Sequence, residues 1–202
     1  CQDTKSDGTG KAGLTFQMRD IYARGNTRST AAGGGAFNTA MNSDNANSDG
    51  WGRPTDLRNA LRSTFWGYLP AETQAAIVGV DKHQQLPNGA TAAYLQKTTG
   101  ETIWLPSMYE VFGVSFANYN ESESLTSVPG YVPFQYMAYE HSSGSDANAR
   151  TVKAYNGAAG DWWLRSVNRY LAGYFCYVRL SGERIYSYYA SAAYGVAPAF
   201  CL

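Results

Sequence analysis

Regular alternation or helical spacing of apolar residues appears in only a few short stretches of the chain. Leu14 to Tyr22 alternates enough for a strand. Leu57, Leu61 and Phe65 recur at i, i+4 and i+8 on one face of a helix that Thr55 or Asp56 can cap. Pro70 suits the first turn of a second helix, with Ile77 and Val80 on its apolar side and Leu69 as a hydrophobic staple. Asn88-Gly89 and Thr99-Gly100 read as turns around a strand at Ala92 to Gln96, followed by a strand at Thr102-Ile103-Trp104-Leu105. Ser107 and Glu110 have the spacing of a capping box on a short helix holding Met108, Tyr109, Val111 and Phe112. Tyr131 to Tyr139, Phe175 to Leu180 and Gly195 to Leu202 read as strands, with Gly182 and Gly195 turning the chain.

The stretches between these elements are polar. Residues 1–13 read as a flexible lead-in, and Thr27 to Gly50, Asn118 to Gly130 and His141 to Asn148 read as loops. The pattern predicts a loop-rich α+β domain over residues 14–202, with short helices and a small antiparallel sheet.

At 202 residues the chain fits one domain with a real core. Sixteen basic residues balance sixteen acidic ones, and no basic stripe appears, which argues against a nucleic-acid partner. No apolar run approaches the ~20 residues needed to span a bilayer. The opening residues lack an apolar signal core, so any targeting segment is expected to have been removed or never to have existed. Three cysteines, Cys1, Cys176 and Cys201, make an odd count without C-x-x-C spacing. Free thiols are the favoured expectation, with room for one disulfide.

Little in the chain points to chemistry. Gly33-Gly34-Gly35 lacks the lysine and spacing of a phosphate-cradling loop, and no Gly-x-Ser-x-Gly elbow marks a nucleophile. His83 and His141 read as solvated surface histidines, and Cys176 as a buried thiol. Asp44, Asn45, Asn47 and Asp49 could offer oxygens to calcium, but their spacing fits no known loop, and such residues usually satisfy their own backbone. The reading therefore assigns no catalytic residue, no metal ligand and no cofactor. Trp162, Trp163 and Leu164 read as core, and Arg165 as an internal strut donating to carbonyls or a carboxylate. Pro198 suits an edge strand or a bulge.

The informative segment is Trp163 to Leu202. It holds seven of the sixteen tyrosines and no lysine, amid Ser, Ala, Gly and Arg. Tyr supplies contact area with few rotors to freeze, small residues supply adaptability, and Arg supplies forked hydrogen bonds.

Trp163-Leu164-Arg165-Ser166, the Ser181-Gly182 turn and Gly195-Val196-Ala197-Pro198-Ala199-Phe200 resemble the C-terminal signature of a C-type-lectin-like domain family of gut bacteria and their phages. That family usually ends Gly-Val-Arg-Pro-Ala-Phe, so Ala197 departs from it. Trp104-Leu105-Pro106-Ser107 with Glu110, Phe112 and Gly113, and the stretch from Trp51-Gly52 to Leu61, are similar too. Many such domains are variable proteins of diversity-generating retroelements. Their mutated Asn codons of the form AAC cannot become codons for Lys, Gln, Met, Trp or Glu. From Val167 to Tyr194 this chain has no Lys, Gln, Met or Trp, and a single Glu, Glu183.

The resemblance implies a C-type-lectin-like fold with residues 163–202 as the variable region. The ligand-facing positions it implies are Tyr170, Leu171, Gly173, Tyr174, Tyr177, Arg179, Arg184, Tyr186, Tyr188, Tyr189, Ser191, Ala193 and Tyr194. Exposure is expected above all for Tyr186, Tyr188, Tyr189 and Tyr194, which sit among small residues. The Glu-Pro-Asn and Gln-Pro-Asp motifs of calcium-dependent lectins are absent, so sugar binding through calcium is not implied. The expected function is non-catalytic recognition of a protein or glycan on a target cell, as a phage receptor-binding protein at the virion tail tip. A bacterial cell-surface adhesin of the same fold is the alternative, and the reading admits a homo-oligomer. A third reading, an oxidase resembling formylglycine-generating enzymes, would need Cys176 and Cys201 as an active-site pair.

Overall fold

Trp162-Trp163-Leu164-Arg165-Ser166-Val167 lacks the polar alternation of a half-solvated strand, and a strand of that kind must be covered on both faces. In the computed structural model it is. The model describes residues 3–24, 39–42, 50–52, 56–86, 95–113, 150–168, 170–171 and 173–202. The expected turn at Asn88-Gly89, the Asp44–Asp49 cluster, the strand at Tyr131 to Tyr139, the loops at 118–130 and 141–148, and His141 lie outside these residues.

Nine strands and a few short helical segments are described, and the chain is a mixed α/β protein, mostly strands in small antiparallel sheets. The central sheet is three-stranded and antiparallel: β6 (Trp162–Val167), β7 (Tyr174–Val178) and β8 (Arg184–Tyr189), in that order. One face carries Trp163, Val167, Phe175 and Tyr177 into a core with Trp51, Leu57, Leu61, Phe65 and Trp104. The other carries Trp162, Leu164, Cys176 and Val178 against Ile21, Met108, Val111 and Phe112. Alternation along β6 and β7 thus divides one sheet between two cores.

Leu57, Leu61 and Phe65 share a buried face, as their spacing predicts. They lie on a helical run made of α1 (Asp56–Ala60), a wide π-helical turn (Leu61–Phe65) and α2 (Trp66–Tyr68). Pro70 precedes α3 (Ala71–Ala76), and the chain turns extended at Ile77. Val80 therefore does not line that helix; it opens β2 (Val80–Gln85), which pairs with β3 (Leu95–Glu101).

Thr99-Gly100 makes no turn between strands. Val80 faces Glu101 and Lys82 faces Thr98, so β3 carries one extra residue there, and Gly100 takes φ 73°. The glycine signal marks a bulge. The strand expected at Thr102–Leu105 is reduced to one bridge, with Trp104 and Ala199 exchanging backbone bonds of 3.0 and 2.8 Å.

The capping box forms as the spacing predicts. The Ser107 hydroxyl accepts from the Glu110 N–H at 3.0 Å, and the Ser107 N–H donates to Glu110 Oε2 at 2.7 Å, opening α4 (Met108–Phe112). Because Ser107 is fully buried, Ser107→Ala is expected to lower stability by about 1–2 kcal/mol in urea unfolding, since an orphaned helix N–H finds no water there.

Residues 3–13 are not a detached lead-in. Thr4 bridges Lys11, Lys5 bridges Val80, and the Asp3 side chain is buried. The segment folds back as a hairpin because Asp3 meets a buried cation, described below.

The two ends of the domain close on each other through β1 (Thr15–Gln17), which pairs with β9 (Ala199–Cys201). Pro198 sits just before β9, where only its carbonyl is needed, and it accepts from Met18 N–H at 2.9 Å. Gly195 is fixed by contact: a Cβ there would lie 2.7 Å from both the Asp161 carbonyl oxygen and Ile21 Cδ1. A second hairpin, β4 (Lys153–Tyr155) and β5 (Ala158–Gly160), packs Lys153 inward. Among the described residues no helix is long and apolar enough to cross a membrane.

Candidate ligand-binding surface

Strands β7 and β8 form a hairpin that turns at Gly182. At the far end Tyr174 faces Tyr189 and Phe175 faces Tyr188, whereas nearer the turn Tyr177 faces Ile185. Two steps along β7 thus match three along β8. The extra residue lies between Ile185 and Tyr188, and beyond it the adjacent Tyr188 and Tyr189 are both exposed.

Several large side chains are exposed at this end, as Leu14, Phe16 and Leu202 are around β1 and β9 and Leu180 is near the hairpin turn. Tyr170 (57%), Leu171 (48%), Tyr188 (45%) and Tyr189 (43%) are large side chains left in solvent. Their rings do not hang free. Tyr174 packs on Tyr189 with centroids 4.5 Å apart, Tyr189 meets Tyr188 edge-on at 5.5 Å, and Tyr188 reaches Tyr194 at 5.8 Å. Tyr194 in turn lies 4.7 Å from the ring of Trp163, whose indole N–H donates to the Thr39 carbonyl at 2.9 Å. A continuous aromatic path therefore ties the solvent face to the core.

The Tyr174 and Tyr194 phenols are held neutral. A hydrogen bond between the Tyr174 and Tyr189 hydroxyls pushes Tyr174 up to about 12, and burial, with Tyr177 beside it, pushes Tyr194 up as well. Such a surface offers ring area and uncharged hydroxyls, which suits a ligand bound by packing and neutral hydrogen bonds.

Of the positions the sequence singled out, Tyr170, Leu171, Tyr174, Tyr188 and Tyr189 come together here. Ser191 is exposed just beyond β8, and Ala193 is half-buried where it bridges Ala40. Arg179 lies at the opposite end of the hairpin, 3.8 Å from Glu183. Arg184 opens β8 at that same end; the side chains of Arg184 and Tyr186 lie outside the described residues.

Three positions need correction. Tyr177 is buried, with its ring 6.2 Å from Trp163 and 4.5 Å from Tyr194, because β7 is the middle strand and is covered on both faces. Gly173 is a buried turn residue with φ 82°, and its carbonyl accepts from Ala190 at 2.8 Å. Tyr194 is only half-exposed, since it fills the space over Trp163.

A buried ionic cluster lies where β6 meets β2 and α4. Arg165 donates to the Leu105 carbonyl at 2.9 Å and the His83 carbonyl at 3.1 Å, and it pairs with Glu110. This is the strut its sequence context predicts. Lys82 completes the cluster, 2.7 Å from Asp3 and 2.8 Å from Glu110, and rests 4.1 Å over the Trp104 ring. Burial alone would push the Glu110 carboxyl up, but Arg165, Lys82 and the Ser107 N–H outweigh it and hold it below its usual value. The sequence reading gave Glu110 only its capping role and missed Asp3 and Lys82, which no local spacing connects.

His83 is half-buried rather than solvated, and burial followed by the Arg165 charge lowers its pKa. Cys176 and Cys201 are buried thiols packed in different core clusters. Burial pushes the Cys201 thiol up to about 11, against the need of a nucleophile. Among the described residues no group of three His, Cys, Asp or Glu side chains could hold a metal ion.

A family model described as a domain of unknown function, DUF6273, matches residues 15–202. The chain belongs to the DUF6273 family. No curated protein and no solved structure matches it. The DUF6273 match spans β1 to β9, so it takes in both the aromatic face and Lys82, Glu110 and Arg165 of the ionic cluster, while Asp3 lies before it.

Proposed function

We propose that this domain is a non-catalytic recognition module of C-type-lectin-like fold. Its ligand-binding surface is the end of the β6–β8 sheet bearing Tyr170, Leu171, Tyr174, Tyr188 and Tyr189. The observation that carries the reading is the gathering of large, exposed, uncharged side chains beside β6 and β7, two strands that are otherwise buried. Exposed apolar clusters of this kind mark interaction sites. The signature segments Trp163–Ser166 and Gly195–Phe200 are buried or half-buried frame, and the tyrosines between them are the substitutable part. Attachment to a protein or glycan on a target cell, as a phage receptor-binding protein, is the use that fits the resemblance.

The test is titration of the labelled domain onto a panel of intact bacterial cells. On a cell type that wild type binds, Tyr189→Ala is expected to weaken binding about 5–30-fold, the usual cost of truncating an interface tyrosine. Arg179→Ala, at the other end of the hairpin, is expected to change it by less than about 2-fold. Equal losses from both, or no binding to any cell type, would overturn the reading. Diversification has its own check in the DNA near the coding region. A near-copy of the segment for residues 163–202, differing almost only where the copy has adenine, is expected there.

A further inference from the structure

The recognition surface as drawn has two sources: tyrosines of β8, which a sheet holds, and Tyr170 and Leu171, which sit on the loop between β6 and β7. A loop of this length samples many conformations unless something fixes it, and freezing it on binding would cost affinity.

The fixing group is the side chain of Asn168, the residue that follows β6. It is 7% exposed. Its Oδ1 accepts from two successive backbone donors, the N–H of Tyr170 at 2.8 Å and that of Leu171 at 3.2 Å. Its Nδ2 donates across the loop to Ser187 Oγ on β8 at 2.9 Å. Its backbone N–H reaches the Tyr174 carbonyl at 2.9 Å, and the Tyr174 N–H returns to the Leu171 carbonyl at 3.3 Å. One amide therefore ties the end of β6, the two exposed loop residues and β8 together. Asn carries an acceptor and two donors on one planar amide, and it is short enough to reach the backbone two residues on.

We propose that Asn168 is a positioning residue of the recognition surface. With Ser187 it preorganises Tyr170 and Leu171 beside Tyr188 and Tyr189, so that loop and strand present one face. This rests on the recognition reading for its meaning, but the clamp itself is a property of the free protein. It also makes Ser187 a position through which a change on β8 re-aims the loop without touching ligand.

Amide hydrogen exchange on the full chain tests the clamp without any ligand. Asn168→Ala is expected to speed exchange at the Tyr170 and Leu171 amides by about 10-fold, the value of a lost pair of neutral hydrogen bonds, while the Cys176 amide of β7 is unchanged. Asn168→Asp keeps both acceptor bonds, and the Ser187 hydroxyl can rotate to donate to it, so protection should return. Ser187→Ala removes only the β8 anchor and should give a smaller, loop-confined rise; it serves as the second variant if Asn168→Ala folds poorly. Unchanged exchange at Tyr170 and Leu171, or a rise spread evenly over the sheet, would overturn the proposal.

On cells that wild type binds, Asn168→Ala should weaken binding about 5–10-fold, with recovery in Asn168→Asp. Loop exchange that rises while binding stays constant would show that the clamp does not serve recognition, and would overturn that role. If no cell type binds wild type, the recognition reading falls, and the exchange result alone decides the clamp.

Discussion

Glu110→Ala should destabilise the fold by about 3–5 kcal/mol, the range expected when one partner of a buried ion cluster is removed. The size follows from what remains. Lys82 and Arg165 are each at most 1% exposed, and Glu110 pairs with both. Without it the cluster holds two cations against Asp3 alone, at an interior site where water cannot screen them. The Ser107 N–H also loses its acceptor. Urea unfolding of wild type and variant gives the difference directly.

A control separates the charge imbalance from the simple loss of contacts. The combined change Asp3→Asn, Lys82→Met, Glu110→Leu and Arg165→Met removes the charges together and should cost much less than the sum of the single changes, because none is left unpaired. If Glu110→Ala costs less than about 1 kcal/mol, the cluster is wetter or looser than its burial indicates. The pH dependence has a fixed sign. The Glu110 pKa is lowered in the folded protein, so the stability it contributes is present above its unfolded pKa and lost as pH falls through the folded one.

The parts of the fold legible in the sequence are those a short window decides. The capping box of Ser107 and Glu110, the buried face of Leu57, Leu61 and Phe65, and the Gly182 turn each depend on residues within two or three turns of chain. Arg165 was legible for another reason: an arginine amid Trp, Leu and Ser can be buried only with carbonyls or a carboxylate around it. What escaped was long-range. Asp3 meets Lys82 across 79 residues, and nothing near Asp3 marks it as buried. The glycine at position 100 signalled a departure from regular strand but not its kind, since turn and bulge both use positive φ. Tyr177 was misplaced because its ligand-facing role came from the resemblance alone; alternation puts it on the same face as Phe175, and that face is core. Asn168 was missed because asparagine in a loop is ordinary, and its partner Ser187 lies on another strand.

The division of labour between frame and face also bears on how the protein tolerates change. Trp163, Arg165 and Phe175 are fully buried and touch groups from several elements, so substitution there carries cavity or unpaired-charge costs. Tyr170, Leu171, Tyr188 and Tyr189 leave much of their surface in water, so most replacements there stay within about 1 kcal/mol. A face built this way can change its sequence without endangering the fold, and that is the physical condition a diversified surface requires.

Between about pH 8 and 10.5, wild type should gain about 3 kcal/mol of stability relative to Lys153→Met. Lys153 is 3% exposed and donates to the Met18 carbonyl at 2.5 Å and the Arg19 carbonyl at 3.0 Å, over the ring of Trp162 at 5.1 Å. Burial pulls its pKa from 10.5 down to about 8, with Asp20 opposing. Below about pH 8 the ammonium is charged in both states and the folded state bears the desolvation cost in full. Above 8 the folded state releases the proton while the unfolded chain keeps it until 10.5, so stability rises with pH, and 1.36 kcal/mol per pH unit sets the size. Other groups act oppositely: Cys201, raised to about 11, and the raised tyrosines favour their neutral forms in the fold and lose stability as pH climbs past 9 to 10. Because they are common to both proteins, the difference between wild type and Lys153→Met isolates the lysine. Urea unfolding at half-unit steps from pH 7 to 10.5 measures it, and parallel curves would show that Lys153 is charged or neutral alike in both states. The neutral amine keeps two N–H donors, enough for both the Met18 and Arg19 carbonyls.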